Sequence, residues 1–117
     1  ITLWKEITPK ESREQNDINA ILSDMKTKSD TEKIKTLYIN NVTEDNQSKI
    51  KKVLIASLKN DKSSNVRLAS VETLVEYIDD DLVRSSLIRA LGEEEDPQVQ
   101  VAIIMALSES KNMEIIK

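Results

Sequence analysis

The chain has no cysteine, no histidine and no phenylalanine, and only one glycine, two prolines and one tryptophan in 117 residues. Without cysteine there are no disulfides, no thiolate metal sites and no thiol nucleophile. Without histidine the commonest general base and metal ligand is missing as well. Gly92, Pro9 and Pro97 alone leave almost none of the turn chemistry that an all-β domain needs for its hairpins. With aromatics at 3%, any core must be built from Ile, Leu, Val, Ala and Met. The longest unbroken apolar run, Val101 to Leu107, is far short of the roughly 20 residues of a spanning helix, so no membrane insertion is expected within this chain. A formal charge of −4 supplies no general field for phosphate backbones, and nucleic acid is not an expected partner.

What is present is helical periodicity. Apolar residues recur at i, i+3, i+4 and i+7, as in Ile18, Ile21, Leu22 and Met25. The length suits one domain. A step of 33 residues carries Leu54, Ile55 and Leu58 onto Leu87, Ile88 and Leu91. The same step carries Val66, Leu68, Ala69, Val71 and Leu74 onto Val99, Val101, Ala102, Ile104 and Leu107. An earlier copy fits a step of 32, which pairs Leu22, Ile34, Leu37, Ile39 and Val42 with Leu54, Val66, Ala69, Val71 and Leu74. A repeat of this length that splits into two helices predicts an all-α solenoid, an α-α superhelix of about three helical hairpins.

Local signals place the junctions. Thr8 to Glu11 and Ser29 to Glu32 read as capping boxes, Asp96-Pro97 as a helix start, and Gly92 as the end of the preceding helix. The predicted helices lie near 9–28, 30–43, 46–60, 64–79, 81–92 and 97–110. Residues 1–8 stay unassigned, 9–117 form one repeat domain with units near 9–43, 46–79 and 81–110, and 111–117 begin a further unit. The opening on Ile1 rather than Met suggests a mature form or part of a longer protein.

Asp61-Lys-Ser-Ser-Asn-Val-Arg-Leu-Ala-Ser-Val-Glu-Thr-Leu74 and Glu94 to Leu107 resemble the second-helix signature of HEAT repeats. The resemblance implies an Asp-to-Arg ladder that links neighbouring repeats, built from an Asp and the Arg six residues after it in the motif. Asp61 and Arg67 carry it in the second copy and Glu94 and Gln100 replace it in the third; the first copy has Asp30 and Lys35 near those places. The run Arg67 to Leu74, followed by Leu82 to Leu87, also looks like the HEAT region of bacterial membrane-anchored proteins of anti-sigma-factor type. That likeness implies an extracytoplasmic (periplasmic) regulatory domain, with a cytoplasmic placement as the alternative. Trp4 reads as a packed cap in preference to an interfacial anchor.

No phosphate loop, calcium loop or nucleophile elbow occurs, and the chain reads as neither an enzyme nor a cofactor binder. Asp79-Asp80-Asp81 and Glu93 to Asp96 precede helix starts, where carboxylates cap N-termini, so no metal site is expected. Lys49, Lys51, Lys52, Lys59, Arg84 and Arg89 would tint the first-helix face basic, without the interleaved aromatics that stack bases. Tyr38 and Tyr77 read as core-packed with hydrated tips, and Met25, Met105 and Met113 as gap-fillers at helical apolar positions, Met105 being the exception that could serve a binding surface.

The expected function is a non-catalytic scaffold that binds a protein or peptide on the inner face of the second helices. The predicted row is Thr36 and Asn40 in the first copy, Leu68, Glu72 and Glu76 in the second, and Val101, Met105 and Glu109 in the third. Leu68, Val101 and Met105 would anchor apolar groups, and the glutamates would orient Lys or Arg. Helix 97–110 is apolar on nearly every side, so cover beyond it is expected. Either the tail bearing Met113, Ile115 and Ile116 folds back on that end, or the end pairs with a second copy as a homodimer or structural spacer.

Overall fold

The computed structural model describes residues 8–43 and 46–110. Trp4, Met113 and the 111–117 tail lie outside the described residues. Among the described residues there are six α-helices and no strand: α1 (Pro9–Met25), α2 (Asp30–Thr43), α3 (Gln47–Asn60), α4 (Ser64–Leu74), α5 (Asp81–Glu93) and α6 (Pro97–Ser108).

A polar side chain starts each helix where the structure shows a cap. Thr8 accepts from Glu11 N, Ser29 from Glu32 N, Asn46 from Lys49 N and Ser63 from Val66 N. Asp80 and Asp96 each accept two backbone N–H groups, from Leu82 and Val83 and from Gln98 and Val99. These bonds satisfy donors that no intrahelical carbonyl can reach. Both expected capping boxes therefore open helices with their first residue as the cap, and Asp80 and Asp96 act as caps within the two acidic clusters.

The helices pair as hairpins α1/α2, α3/α4 and α5/α6, and the hairpins stack. First helices form one layer, α1 beside α3 beside α5; second helices form the other, α2 beside α4 beside α6. The core runs between the layers, with Leu37, Leu54, Leu74, Leu87 and Ile103 almost fully buried. Ser70 and Thr73, buried on α4, return their hydroxyls to Val66 O and Ala69 O of their own helix, so neither needs an external partner.

Several boundaries depart from expectation. Helix α1 ends at Met25 rather than 28, because the chain must turn back to present Ser29 as the next cap. Helix α4 ends at Leu74, and its final turn tightens into a 3-10 helix over Val75–Tyr77, the usual tightening at a helix end, before Asp80 caps α5. Gly92 does not end α5; it lies inside it, and Glu94 is the C-cap, with its N–H on Ala90 O.

The step of 32 also needs correction. The caps Ser29, Ser63 and Asp96 are 34 and then 33 residues apart, which sets the register of the second helices. Ile39 and Val42, placed in the core by the shorter step, are instead 60% and 83% exposed, and Leu37 takes the buried place equivalent to Val71.

Gly92 is exposed, helical in conformation, and has nothing within 4 Å of where a Cβ would stand. Gly92→Ala should raise the free energy of unfolding by about 0.5–1 kcal/mol, because alanine gives up less backbone freedom on entering a helix. Urea denaturation followed by circular dichroism checks this, and an unchanged or lower midpoint would contradict it.

Candidate functional site

The second helices are tied together at their N-terminal ends. The Arg67 guanidinium donates from Nε to Glu94 Oε1 at 2.8 Å and from Nη2 to Glu94 Oε2 at 3.0 Å, while Nη1 donates to Asp61 O at 2.9 Å. One planar fork thus joins the turn of its own hairpin to the turn of the next. Glu94 Oε2 also accepts from Glu95 N and Asp96 N, so the carboxylate is saturated. One junction earlier, Lys33 Nζ lies 3.1 Å from Asp61 Oδ2. At the last hairpin Gln100 Nε2 donates to Glu94 O at 2.7 Å, repeating the bond that Arg67 makes to Asp61 O.

The ladder therefore spans both junctions, and Glu94 is a working rung. Its first cation is Lys33, not Lys35, for the same reason of register; Asp30 instead accepts from the Ser63 hydroxyl. Burial pushes the Glu94 carboxyl upward, but the Arg67 hydrogen bonds and the N–H groups of Asp96 and Glu95 outweigh it and hold the group below the ordinary glutamate range. Arg67 is correspondingly raised, chiefly by its hydrogen bonds to Glu94.

The first-helix layer has its own ties. Glu14 accepts from Lys52 Nζ at 2.8 Å, Ser48 Oγ at 3.1 Å and Asn46 Nδ2 at 3.4 Å, and Lys51 Nζ reaches Asp80 Oδ2 at 2.6 Å. The Lys52 and Lys51 bonds are the largest influences holding Glu14 and Asp80 below the usual carboxylate values. Lys49 faces Asp17 at 3.9 Å and Arg84 pairs with Asp81. Four of the six cations expected to colour this layer are thus occupied in ion pairs, which leaves little positive field for a polyanion.

Two grooves open between successive first helices: about 490 Å3 between α3 and α5, and about 430 Å3 between α1 and α3. Their linings correspond by repeat, Leu58 and Lys59 to Met25 and Lys26, and each ends at its ladder pair, Arg67 with Glu94 or Lys33 with Asp61. They are a feature of the stack rather than two unrelated sites.

The surface that the second helices turn away from the first-helix layer is where the sequence placed a binding row. Glu72, Val101, Met105 and Glu109 are exposed there, and Leu68 is half-buried, packed partly against the core. Glu76 is exposed but accepts from Asn41 Nδ2 of the preceding hairpin at 3.0 Å. Thr36 and Asn40 do not join the row. Both are half-buried, Thr36 Oγ1 bonding Glu32 O and Asn40 Nδ2 bonding Thr36 O, because the cap register aligns them with buried Ser70 and Leu74.

The residues in line with Glu72 and Met105, and with Glu76 and Glu109, are Tyr38 and Val42. Tyr38 is exposed rather than core-packed, while Tyr77 is half-buried with its hydroxyl donated to Asn41 Oδ1. Sequence reasoning missed Tyr38 and Val42, although aligning the caps Ser29, Ser63 and Asp96 would have found them. Met25 is buried and fills the core, whereas Met105 is exposed.

Two layers of helices, joined hairpin to hairpin by repeating rungs, define an α-solenoid. Residues 50–115 match the family model for HEAT repeats, and the chain belongs to the HEAT-repeat family. No curated protein and no solved structure matches the chain. HEAT repeats commonly act as protein-interaction scaffolds and are typically non-catalytic. Among the described residues no helix is long and apolar enough to cross a membrane.

Two outcomes follow from the ladder. Glu94→Ala should destabilise the chain by about 2–3 kcal/mol, since it strands a half-buried guanidinium. A double-mutant cycle with Arg67→Ala should show coupling, and a coupling near zero would mean that the rung contributes nothing. The second outcome concerns pH. Glu14, Asp80 and Glu94 are all depressed in the folded state. The stability they confer is present above the unfolded values and lost as pH falls through the folded ones. The thermal midpoint should hold from about pH 8 to about pH 5 and fall below about pH 4, less steeply in Glu94→Gln.

Proposed function

We propose that the chain is a non-catalytic scaffold that binds a protein segment across the exposed face of α2, α4 and α6. The observation that carries this reading is the row running over three hairpins, with Tyr38 and Val42 on α2, Glu72 on α4 and Val101 and Met105 on α6, backed by Glu76 and Glu109. Large apolar groups are exposed on both outer helices, and the middle helix supplies a carboxylate. That pattern suits a helix or extended segment with spaced apolar anchors and a Lys or Arg between them. Leu68 supports the row from below, as its half-buried place suggests.

An extracytoplasmic regulatory role, like that of the bacterial membrane-anchored anti-sigma-type proteins, is a narrower reading that rests on the likeness of residues 67–87 alone. A zinc-binding segment and a spanning helix upstream in the full-length gene product would support it, and a cytosolic full-length product would end it.

Peptides selected by display against the wild-type chain should carry two or more spaced apolar residues and at least one Lys or Arg. They should bind Tyr38→Glu, Met105→Glu at least about tenfold more weakly, a loss of ~1.4 kcal/mol. Both substitutions are at exposed positions, so helicity and thermal midpoint should match wild type. Undiminished binding to a folded double variant would move the site off this face.

A further inference from the structure

Most charged side chains of α3 and α5 tie one hairpin to the next or hold a turn, but those along one groove do not. Of the six cations on these two helices, Lys49, Lys51, Lys52 and Arg84 are in ion pairs. The other two, Lys59 and Arg89, are exposed and have no ion pair among the described residues, and both line the groove of about 490 Å3 between α3 and α5. Glu93 and Glu95 line it too, with carboxylates that are likewise exposed and without an ion pair among those residues. On α5 the lining residues Leu82, Ser86, Arg89 and Glu93 follow the spacing i, i+4, i+7 and i+11, which is a single stripe of the helix. Towards the turn, that stripe passes from apolar to cationic to acidic, and Glu95 extends the acidic end. Ile55 supplies apolar surface from α3, and Lys59 follows it one turn later.

The groove between α1 and α3 repeats the shape without this pattern. Ala56 and Asn60 stand there in the places of Arg89 and Glu93, Lys33 and Asp61 pair with each other, and Lys26 is the one unpaired charge in the lining. We propose that the α3/α5 groove is a second docking site, for a short segment of a partner protein in which an acidic residue lies between an apolar residue and a Lys or Arg. The apolar residue seats on Ile55 and Leu82, the carboxylate meets Lys59 and Arg89, and the cation meets Glu93 and Glu95. Charge complementarity selects this occupant: a nucleic acid or a uniformly acidic segment meets repulsion from the two glutamates, and exchanging the signs brings like charges together. The volume falls in the range of about 300–1,000 Å3 common to sites for compact ligands. No residue of this groove belongs to the row on α2, α4 and α6, so the inference stands apart from that reading.

Peptide display against Tyr38→Glu, Met105→Glu, in which the row is altered, isolates the groove. Enriched peptides should carry the acidic residue between the apolar and the basic one. Adding Lys59→Glu, Arg89→Glu should weaken their binding at least about tenfold, and changing the peptide's acidic residue to Lys should restore binding to that variant. The neutral pair Lys59→Gln, Arg89→Gln should give a smaller loss, and Lys26→Glu in the other groove none. Both positions are exposed, so helicity and thermal midpoint should match the parent; if the reversal disturbs the fold, the neutral pair carries the test. No enrichment, enrichment of uniformly acidic peptides, or binding that survives the substitutions at Lys59 and Arg89 would overturn the proposal. An equal loss with Lys26→Glu would overturn it as well, since it would show attraction to the charge of the layer rather than to this groove.

Discussion

The stack depends on the Arg67 fork. A hairpin of two amphipathic helices cannot bury its apolar surface alone, so each must be held in register against the next. Packing of Ile, Leu and Val is non-directional and would tolerate some sliding between hairpins. The fork adds direction: three of its N–H groups reach Glu94 in one hairpin and Asp61 O in the other, a geometry that only one register satisfies. Lys33 with Asp61 repeats the tie at the first junction, and Gln100 keeps the turn-closing half of it at the last.

The charge of this protein is accordingly spent within the stack. Glu14 with Lys52, Lys51 with Asp80 and Arg67 with Glu94 each join one hairpin to the next, and the acids at Asp80 and Asp96 also start helices. In the two acidic clusters Asp80, Asp81, Glu94 and Asp96 turn oxygens to backbone N–H groups or cationic side chains. On the outer surface of the second helices Tyr38, Val42 and Met105 stand exposed beside Glu72 and Glu109.

The two helices at the ends of that layer show how far a sequence pattern can be read. Helix α4 has neighbours on both sides, so its apolar residues Val66, Val71 and Leu74 are all buried. Helix α2 is nearly as apolar in places, yet Ile39 and Val42 lie open; helix α6 leaves Ile104 and Met105 open in the same way. Periodicity records which residues are apolar on a helix face, not whether a neighbour occupies that side. The 32-residue step satisfies that periodicity, and it sets Thr36 and Asn40 in line with Leu68 and Glu72. The caps held the better information, because Ser29, Ser63 and Asp96 mark fixed positions in each hairpin through hydrogen bonds rather than through burial.

By itself the sequence determined the helical class, the two-helix repeat and the helix starts, because spacing, capping side chains and turn-residue scarcity act locally; Asp61 and Arg67 stood out as ladder residues only through the resemblance to HEAT repeats. Only the tertiary structure decided that Lys33 and Glu94 complete the ladder, that Tyr38 and Val42 stand in line with Met105, that Glu76 is held by Asn41, and that Ile88 and Ile104 face outward. Those facts depend on which hairpin lies beside which and in what register. Register between helices distant in the chain is fixed by contacts made after they pack.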